Sequence, residues 1–261
     1  MTHDCTKLEI IEGLAKLTLT RPEMGNALNL EGCIALRKNA EAIAADGRVR
    51  AVLLLAEGNN FCVGGDIGDM VSAPERGPML REMAGALHEG LKLLAQLDAP
   101  LIVGVQGAAA GAGLGLVAFG DIVVAGRTSM FAMAYSAIGL SPDGANSWSL
   151  PRLIGLRLTQ QMALLNRRLN AEEALLAGLV TEVVDDLDVA ERASELAAQI
   201  AAGPTLAYGR IRRLLAESSS TSLEQQLDDE AAAIASAAET EDAAEGIAAF
   251  LARRKPVYRG R

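Results

Sequence analysis

Aromatic residues are scarce in this chain: one Trp, three Tyr and four Phe among 261 residues. Its core must therefore be built from Ala, Leu, Val and Ile. Cysteine is scarce too. Cys5, Cys33 and Cys62 are odd in number and form no CxxC pair, which excludes a disulfide scaffold and points to reduced thiols in a cytoplasmic setting. Only two His are present, His3 at the start and His88 amid a helical pattern. No Ser-His-Asp set can be assembled from them, and no clustering of His, Cys and carboxylates supports metal catalysis. No run of eighteen apolar residues occurs, and Met1-Thr2-His3-Asp4 does not begin a basic-then-apolar leader, so neither a membrane span nor secretion is expected. Positive charge is in deficit, 24 Lys and Arg against 33 Asp and Glu for a net charge of −9. That argues against nucleic acid as a partner and leaves any anionic ligand dependent on a local basic patch.

What is present is glycine in particular places. Residues 101–105 form a short apolar run that reads as a buried strand, and residues 107–115 are so rich in Gly and Ala that no side chain can fill the space beside them. Either the helix starting near Gly111 packs tightly on the sheet, or its first N–H groups face a ligand. A second turn of the same kind lies about forty residues upstream. There the apolar residues 52–56 are followed by Gly58-Asn59-Asn60 and Phe61-Cys62-Val63-Gly64-Gly65-Asp66-Ile67, with Asp66 near the start of a short helix. Two glycine-rich strand-to-helix turns, each able to aim a backbone N–H at one point, are what stabilising an oxyanion requires. Neither matches a phosphate loop or a dinucleotide fingerprint: no Lys-Ser/Thr pair follows, and the last glycine spacing is wrong. Cys62 sits beside the first turn, but with no His patterned near it the residue reads as small buried filler.

Length allows one large domain, or one domain with an appendage. Residues 8–11 and 14–20 read as a hairpin around Glu12-Gly13, and a helix is expected over 31–45. Leu80, Met83, Ala84, Leu87, Leu91, Leu94 and Ala95 recur at helical steps with Arg81, Glu82, His88, Glu89 and Lys92 between them, predicting one long amphipathic helix with His88 on its solvated side. Residues 72–78, with Pro74 and Gly77, read as a mobile loop before it. Strand–turn–helix units beginning near Val52, Leu101, Ile122 and Val180 indicate a mainly parallel sheet. After a break at Gly203-Pro204 come three Ala-rich helices, roughly 204–217, 222–237 and 240–252, with too few large residues for a core of their own. Residues 253–261 form the one dense basic cluster, either a frayed end or an anion site.

Six motifs occur in one order: Arg21-Pro22-Glu23-Met24-Gly25-Asn26-Ala27-Leu28-Asn29, Phe61-Cys62-Val63-Gly64-Gly65-Asp66, Gly107-Ala108-Ala109-Ala110-Gly111-Ala112-Gly113, Gly120-Asp121-Ile122, Gly139-Leu140-Ser141-Pro142-Asp143-Gly144 and Leu150-Pro151-Arg152. Together they resemble the crotonase family, the enoyl-CoA hydratase/isomerase superfamily, over residues 1 to about 185. Composition leaves a doubly wound sheet and a spiral of ββα units equally open. The resemblance implies the spiral, an α/β fold with a core over 1–203 and a C-terminal helical segment over 204–261 that makes the contacts of a homotrimer or a dimer of trimers. It further implies an acyl-CoA thioester as substrate, with coenzyme A carried by that substrate and no separate cofactor.

On this resemblance the oxyanion donors are the N–H groups of Gly65 and Ala112. Met24, Ala27, Val63, Asp66 and Ile67 join them along the coenzyme A and acyl groove. Tyr135 and Trp148 read either as lining of the acyl pocket or as core residues, and if the basic end is an anion site, Lys255 or Arg253 meets the coenzyme A phosphates. The family's hydratases use two glutamates; at those positions this chain has Gly115 and Tyr135. What remains is Asp143, which is also well placed to cap a helix, at the position where isomerases of the family carry their acidic residue. Ser141 and Asn146 are further polar candidates nearby. One carboxylate suits a proton shuttle better than a hydration. The expected function is thus an enoyl-CoA isomerase of fatty acid or phenylacetate-type aromatic metabolism. An enoyl-CoA hydratase with atypical acid/base residues, or a non-catalytic acyl-CoA-binding subunit, are the alternatives.

Overall fold

A computed structural model describes residues 5–261; the readings made for Met1-Thr2-His3-Asp4, including that of His3, lie outside the described residues. The hairpin forms as expected. β1 (Thr6–Ile11) and β2 (Leu14–Leu19) pair antiparallel through a two-residue turn, Glu12 and Gly13, both at positive φ as a tight hairpin requires. α1 (Leu30–Ala45) begins where the Asn29 side chain accepts the Gly32 N–H at 2.8 Å. β3 (Ala51–Ala56) is followed by α2 (Ile67–Ser72), the long α3 (Arg76–Gln96) and β4 (Leu101–Val105).

Next come β5 (Ala108–Ala110), α4 (Ala112–Ala118), β6 (Ile122–Gly126), β7 (Met130–Ala132), α5 (Asn146–Leu153) and α6 (Leu156–Leu164). β8 (Leu169–Asn170), α7 (Ala171–Ala177), β9 (Glu182–Val184) and α8 (Val189–Ala201) complete the spiral. α9 (Thr205–Glu217), α10 (Leu223–Ala238) and α11 (Glu241–Leu251) end the chain.

The strands form two sheets. A six-stranded sheet runs β1-β2-β3-β4-β6-β9, parallel from β2 onward, and a three-stranded sheet runs β5-β7-β8. The chain therefore steps from the large sheet (β4) to the small sheet (β5) to a helix (α4), and repeats the step from β6 through β7 to α5. This is the spiral of ββα units. Central strands buried on both faces explain the unbroken apolar runs in the sequence. The pleat sends Val52 and Leu54 to the main core, and Leu53, Leu55, Ile102 and Val124 to a second layer under Ala193, Ala197 and Ala201 of α8.

Three local expectations change. The loop expected over 72–78 shrinks to 73–75, because Gly77 and Pro78 occupy the first turn of α3, where a missing N–H breaks no helical bond. The strand expected to begin near Val180 is only Glu182–Val184. The basic end is not frayed: buried Asp242 accepts the backbone N–H groups of Arg259 at 2.6 Å and Gly260 at 2.7 Å, and Glu245 accepts that of Val257 at 2.8 Å while pairing with Arg254. On the three last helices Leu223, Leu227, Ile234, Ile247, Phe250 and Leu251 remain exposed.

The pinned end carries a pH signature. The Arg254 guanidinium, then the Val257 N–H, hold the Glu245 carboxyl at about 2 against an ordinary 4.5. A depressed acid stabilises the docked tail fully above pH 4.5, and that contribution is lost as pH falls through about 2. Hydrogen exchange should show the Val257 amide protected at pH 5 and progressively released between those limits, with the pH dependence absent in Glu245→Gln.

Candidate active site

The two glycine-rich turns lie against each other through main-chain contacts. The Cys62 N–H donates to the Ala108 C=O at 3.1 Å and the Ala110 N–H to the Cys62 C=O at 2.9 Å, forming a parallel bridge between Cys62 and Ala109. Glycine is obligatory where they touch. A Cβ at Gly113 would stand 2.2 Å from the Cys62 carbonyl oxygen, and Gly64, at φ 102°, would bring one to 3.1 Å from that of Ala110. On the other side the Leu28 N–H donates to the Gly64 C=O at 2.7 Å, and the Asp66 N–H to the Leu28 C=O at 2.8 Å. Buried Asp66 caps α2 by accepting the Gly68 N–H at 3.0 Å and pairs with Arg21 at 3.2 Å, which also donates to the Ala27 C=O at 2.8 Å. Asp66 is thus committed to holding the loop.

Among the described residues the N–H groups of Gly65 and Ala112 have no protein acceptor, and both residues lie on the wall of one cavity of about 580 Å³. The cavity is apolar, walled by Leu28, Met83, Leu87 and Met133 among others; among the described residues its only charged lining residues are Arg81 and Asp143. Two free N–H groups beside a single carboxylate can polarise a carbonyl and take a proton from the carbon next to it.

Asp143 is not a helix cap. α5 starts after Ala145, and no side chain caps it. The Asp143 carboxylate instead accepts the Tyr135 hydroxyl at 2.6 Å. Burial first, and then the Asp143 charge, push the Tyr135 phenol far above its ordinary range, so it stays protonated and acts as a donor. Cys33, also on the cavity wall, is pushed up to about 12 by burial and then by Asp143, and Cys62 to about 12 by burial; neither supplies a thiolate nucleophile.

Gly115 has no room for a side chain. A Cβ there would lie 2.2 Å from the Gly144 carbonyl oxygen. Main chain of the segment bearing Asp143 therefore fills the space beside Gly115, the position that the resemblance matches to the first hydratase glutamate.

Other expected residues separate into two groups. Val63, Ile67 and Tyr135 line the cavity. Met24, half-exposed, and Ala27, buried, sit behind it on the turn that abuts residues 63–65, with the Ala27 N–H bonded to the Met24 C=O. Trp148 does not line the acyl pocket: it is 48 % exposed beneath the Arg152 guanidinium, 4.1 Å from the ring centroid. The helical step explains this, since α5 turns Asn146, Ser149 and Leu150 inward and carries Trp148 outward. Lys255 is exposed on the tail and is not on the cavity wall.

Two residues gain importance. His88, expected to be a solvated helix residue, is half-buried, and its Nε2 accepts the Gly144 N–H at 3.1 Å, anchoring the segment that bears Asp143. The signal was present in its spacing, four residues after Ala84 and three before Leu91 on the apolar stripe. Asn146 is 0 % exposed, and its Nδ2 lies within 3.1 Å of the Gly111 C=O, the Tyr135 hydroxyl and the Asp143 C=O.

The chain is similar to known proteins over nearly its whole length. The sequence profile of the enoyl-CoA hydratase/isomerase family matches residues 9–261. The 1,2-epoxyphenylacetyl-CoA isomerase of Escherichia coli (strain K12) is 37% identical over 255 residues, 96% of each chain. The 2,3-dehydroadipyl-CoA hydratase of the same organism is 32% identical over 249 residues, 94% of each. Among solved structures, an enoyl-CoA hydratase from Polaromonas sp. JS666 superposes with a TM-score of 0.89 at 34% identity, covering 97% of this chain and 99% of that one.

The crowding at Gly115 is directly testable by urea titration. Gly115→Ala should lower the unfolding free energy by roughly 1–3 kcal/mol, because backbone must move to admit the methyl group. Gly85→Ala, on a helix with nothing within 4 Å of the added carbon, should be neutral or stabilising. Equal behaviour of the two variants would contradict the packing described.

Proposed function

The chain belongs to the enoyl-CoA hydratase/isomerase family, and from that premise we propose that it is an enoyl-CoA isomerase moving a double bond along the acyl chain of a coenzyme A thioester. The thioester oxygen rests on the N–H groups of Gly65 and Ala112. As Asp143 removes a proton from C2 of a 3-enoyl thioester, negative charge develops on that oxygen, where the two N–H groups stabilise it. The same carboxylic acid returns the proton at C4, giving the 2-enoyl product. Atoms and charge balance with no water, metal or second base, and coenzyme A enters only as part of the substrate.

The observation that carries this reading is that, among the described residues, Asp143 is the only carboxylate on the cavity wall. Tyr135 donates to its Oδ1 and leaves Oδ2, without a protein partner among the described residues, as the proton-accepting oxygen. Hydration by two glutamates finds neither residue, and Gly115 leaves no space to restore the first. The relative named a 1,2-epoxyphenylacetyl-CoA isomerase supports an isomerase, and an aromatic or alicyclic acyl group is a fitting substrate beside a straight enoyl chain.

Met24 and Ala27 border the groove that takes the coenzyme A moiety. The exposed apolar side chains of α9 to α11 favour assembly with further copies into a trimer or dimer of trimers, with residues 204–261 as the contact segment and Lys255 of the basic end reaching the coenzyme A phosphates. Cys5, Cys33 and Cys62, none of them in a disulfide, fit a reducing cytoplasm.

Assays on 2-enoyl, 3-enoyl and phenylacetyl-derived thioesters test the reading. The protein should convert a 3-enoyl-CoA to its 2-enoyl isomer, and Asp143→Asn should lose about 100- to 10,000-fold in kcat while KM changes only a few fold. Hydration of crotonyl-CoA that survives Asp143→Asn would make the protein a hydratase. Binding of thioesters without exchange of their α-protons in deuterated water would make it a non-catalytic binder.

A further inference from the structure

Asn146 contacts both halves of the site. Its Nδ2 lies 3.0 Å from the Gly111 carbonyl oxygen, 2.9 Å from that of Asp143 and 3.1 Å from the Tyr135 hydroxyl. The first contact matters because of what the peptide bond is. The C=O of Gly111 and the N–H of Ala112 belong to one planar trans unit and point in opposite directions. Holding the carbonyl on the protein side therefore aims the Ala112 N–H at the cavity. The same amide group holds the carbonyl of Asp143, one residue's breadth from the carboxylate, and touches the phenol that orients that carboxylate.

Neither carbonyl depends on Asn146 for its satisfaction. The Gly111 carbonyl also accepts the Gly115 N–H at 3.2 Å, and the Asp143 carbonyl also accepts the Asn146 backbone N–H at 3.1 Å. Meanwhile Asn146 Oδ1 is buried with no hydrogen-bond partner among the described residues. A buried acceptor without a donor costs stability, so an apolar residue of similar shape would serve the fold about as well. An amide retained at this cost, with its donors spent on carbonyls already bonded, is explained by orientation and not by satisfaction.

We propose that Asn146 is a positioning residue that fixes the Ala112 N–H and the Asp143 carboxylate in one mutual arrangement. It touches no substrate atom itself. The inference rests on the proposed oxyanion site at Gly65 and Ala112, but not on the direction or identity of the proton transfer.

The test separates the two. The probe is 4-dimethylaminocinnamoyl-CoA, whose absorbance moves to longer wavelength when its thioester carbonyl is polarised. Wild type and Asp143→Asn should both produce the red shift, the latter showing that the donors act without the proton carrier. Asn146→Leu should bind the probe with a Kd within about threefold of wild type, lose most of the red shift, and turn over 3-enoyl-CoA about 10- to 100-fold more slowly at a nearly unchanged KM. Combining Asn146→Leu with Asp143→Asn should slow turnover far less than the product of the two single effects. A full red shift, or undiminished kcat, in Asn146→Leu would overturn the proposal. Should that variant not fold, the isosteric Asn146→Asp carries the same test, since it sets an oxygen against the same three acceptors; wild-type behaviour there overturns the proposal equally. If no thioester is isomerised by wild type, the isomerase reading fails while the red shift still decides the role of Asn146.

Discussion

The site depends on a main-chain-to-main-chain contact between residues 61–65 and 108–113. Cys62 and Ala109 form a parallel bridge, and the backbones beyond it approach so closely that a methyl group at Gly113 would collide with a carbonyl oxygen. Two strand-to-helix turns from different units of the spiral are thereby locked side by side. Among the described residues the N–H groups of Gly65 and Ala112 have no protein acceptor and lie at the cavity wall. A fixed pair of dipoles of this kind needs no reorganisation when charge develops in front of it, which is the source of its catalytic value.

The acid side of the site is built on a less regular support. Residues 143–146 connect a glycine turn to α5, and they are held from three directions: by His88 at the Gly144 N–H, by Tyr135 at the Asp143 carboxylate, and by the buried amide of Asn146. The Gly144 carbonyl comes so near Gly115 that a glutamate there and this segment exclude each other. In this chain the carboxylate on the cavity wall comes from the loop before α5 and not from α4.

Much of this was legible in the residues. The hairpin, the helix over 31–45, the long amphipathic helix and the three last helices follow from periodicity and punctuation, and the two glycine turns announce themselves because no side chain could fill the space beside them. The short strands β5 and β7 were not legible: three residues carry too little pattern, and they form only because neighbouring backbone is already there to pair with. Trp148 was misplaced because one residue of helical phase separates the inner from the outer face of α5. His88 was misread because its polar neighbours outweighed its spacing from Ala84 and Leu91. The tail looked frayed because the two carboxylates that pin it, Asp242 and Glu245, precede it by many residues and carry no local signature.

The central claim is geometric: two backbone donors meet one thioester oxygen while Asp143 faces the carbons beyond it. A crystal structure of the protein with a saturated acyl-CoA, which cannot react, measures this most directly. The account predicts the thioester oxygen at about 2.7–3.2 Å from both the Gly65 and the Ala112 nitrogen. It also predicts Oδ2 of Asp143 in contact with the C2 to C4 stretch of the acyl chain. A thioester bound with its oxygen away from either nitrogen, or with Asp143 turned out of the acyl channel, would contradict it.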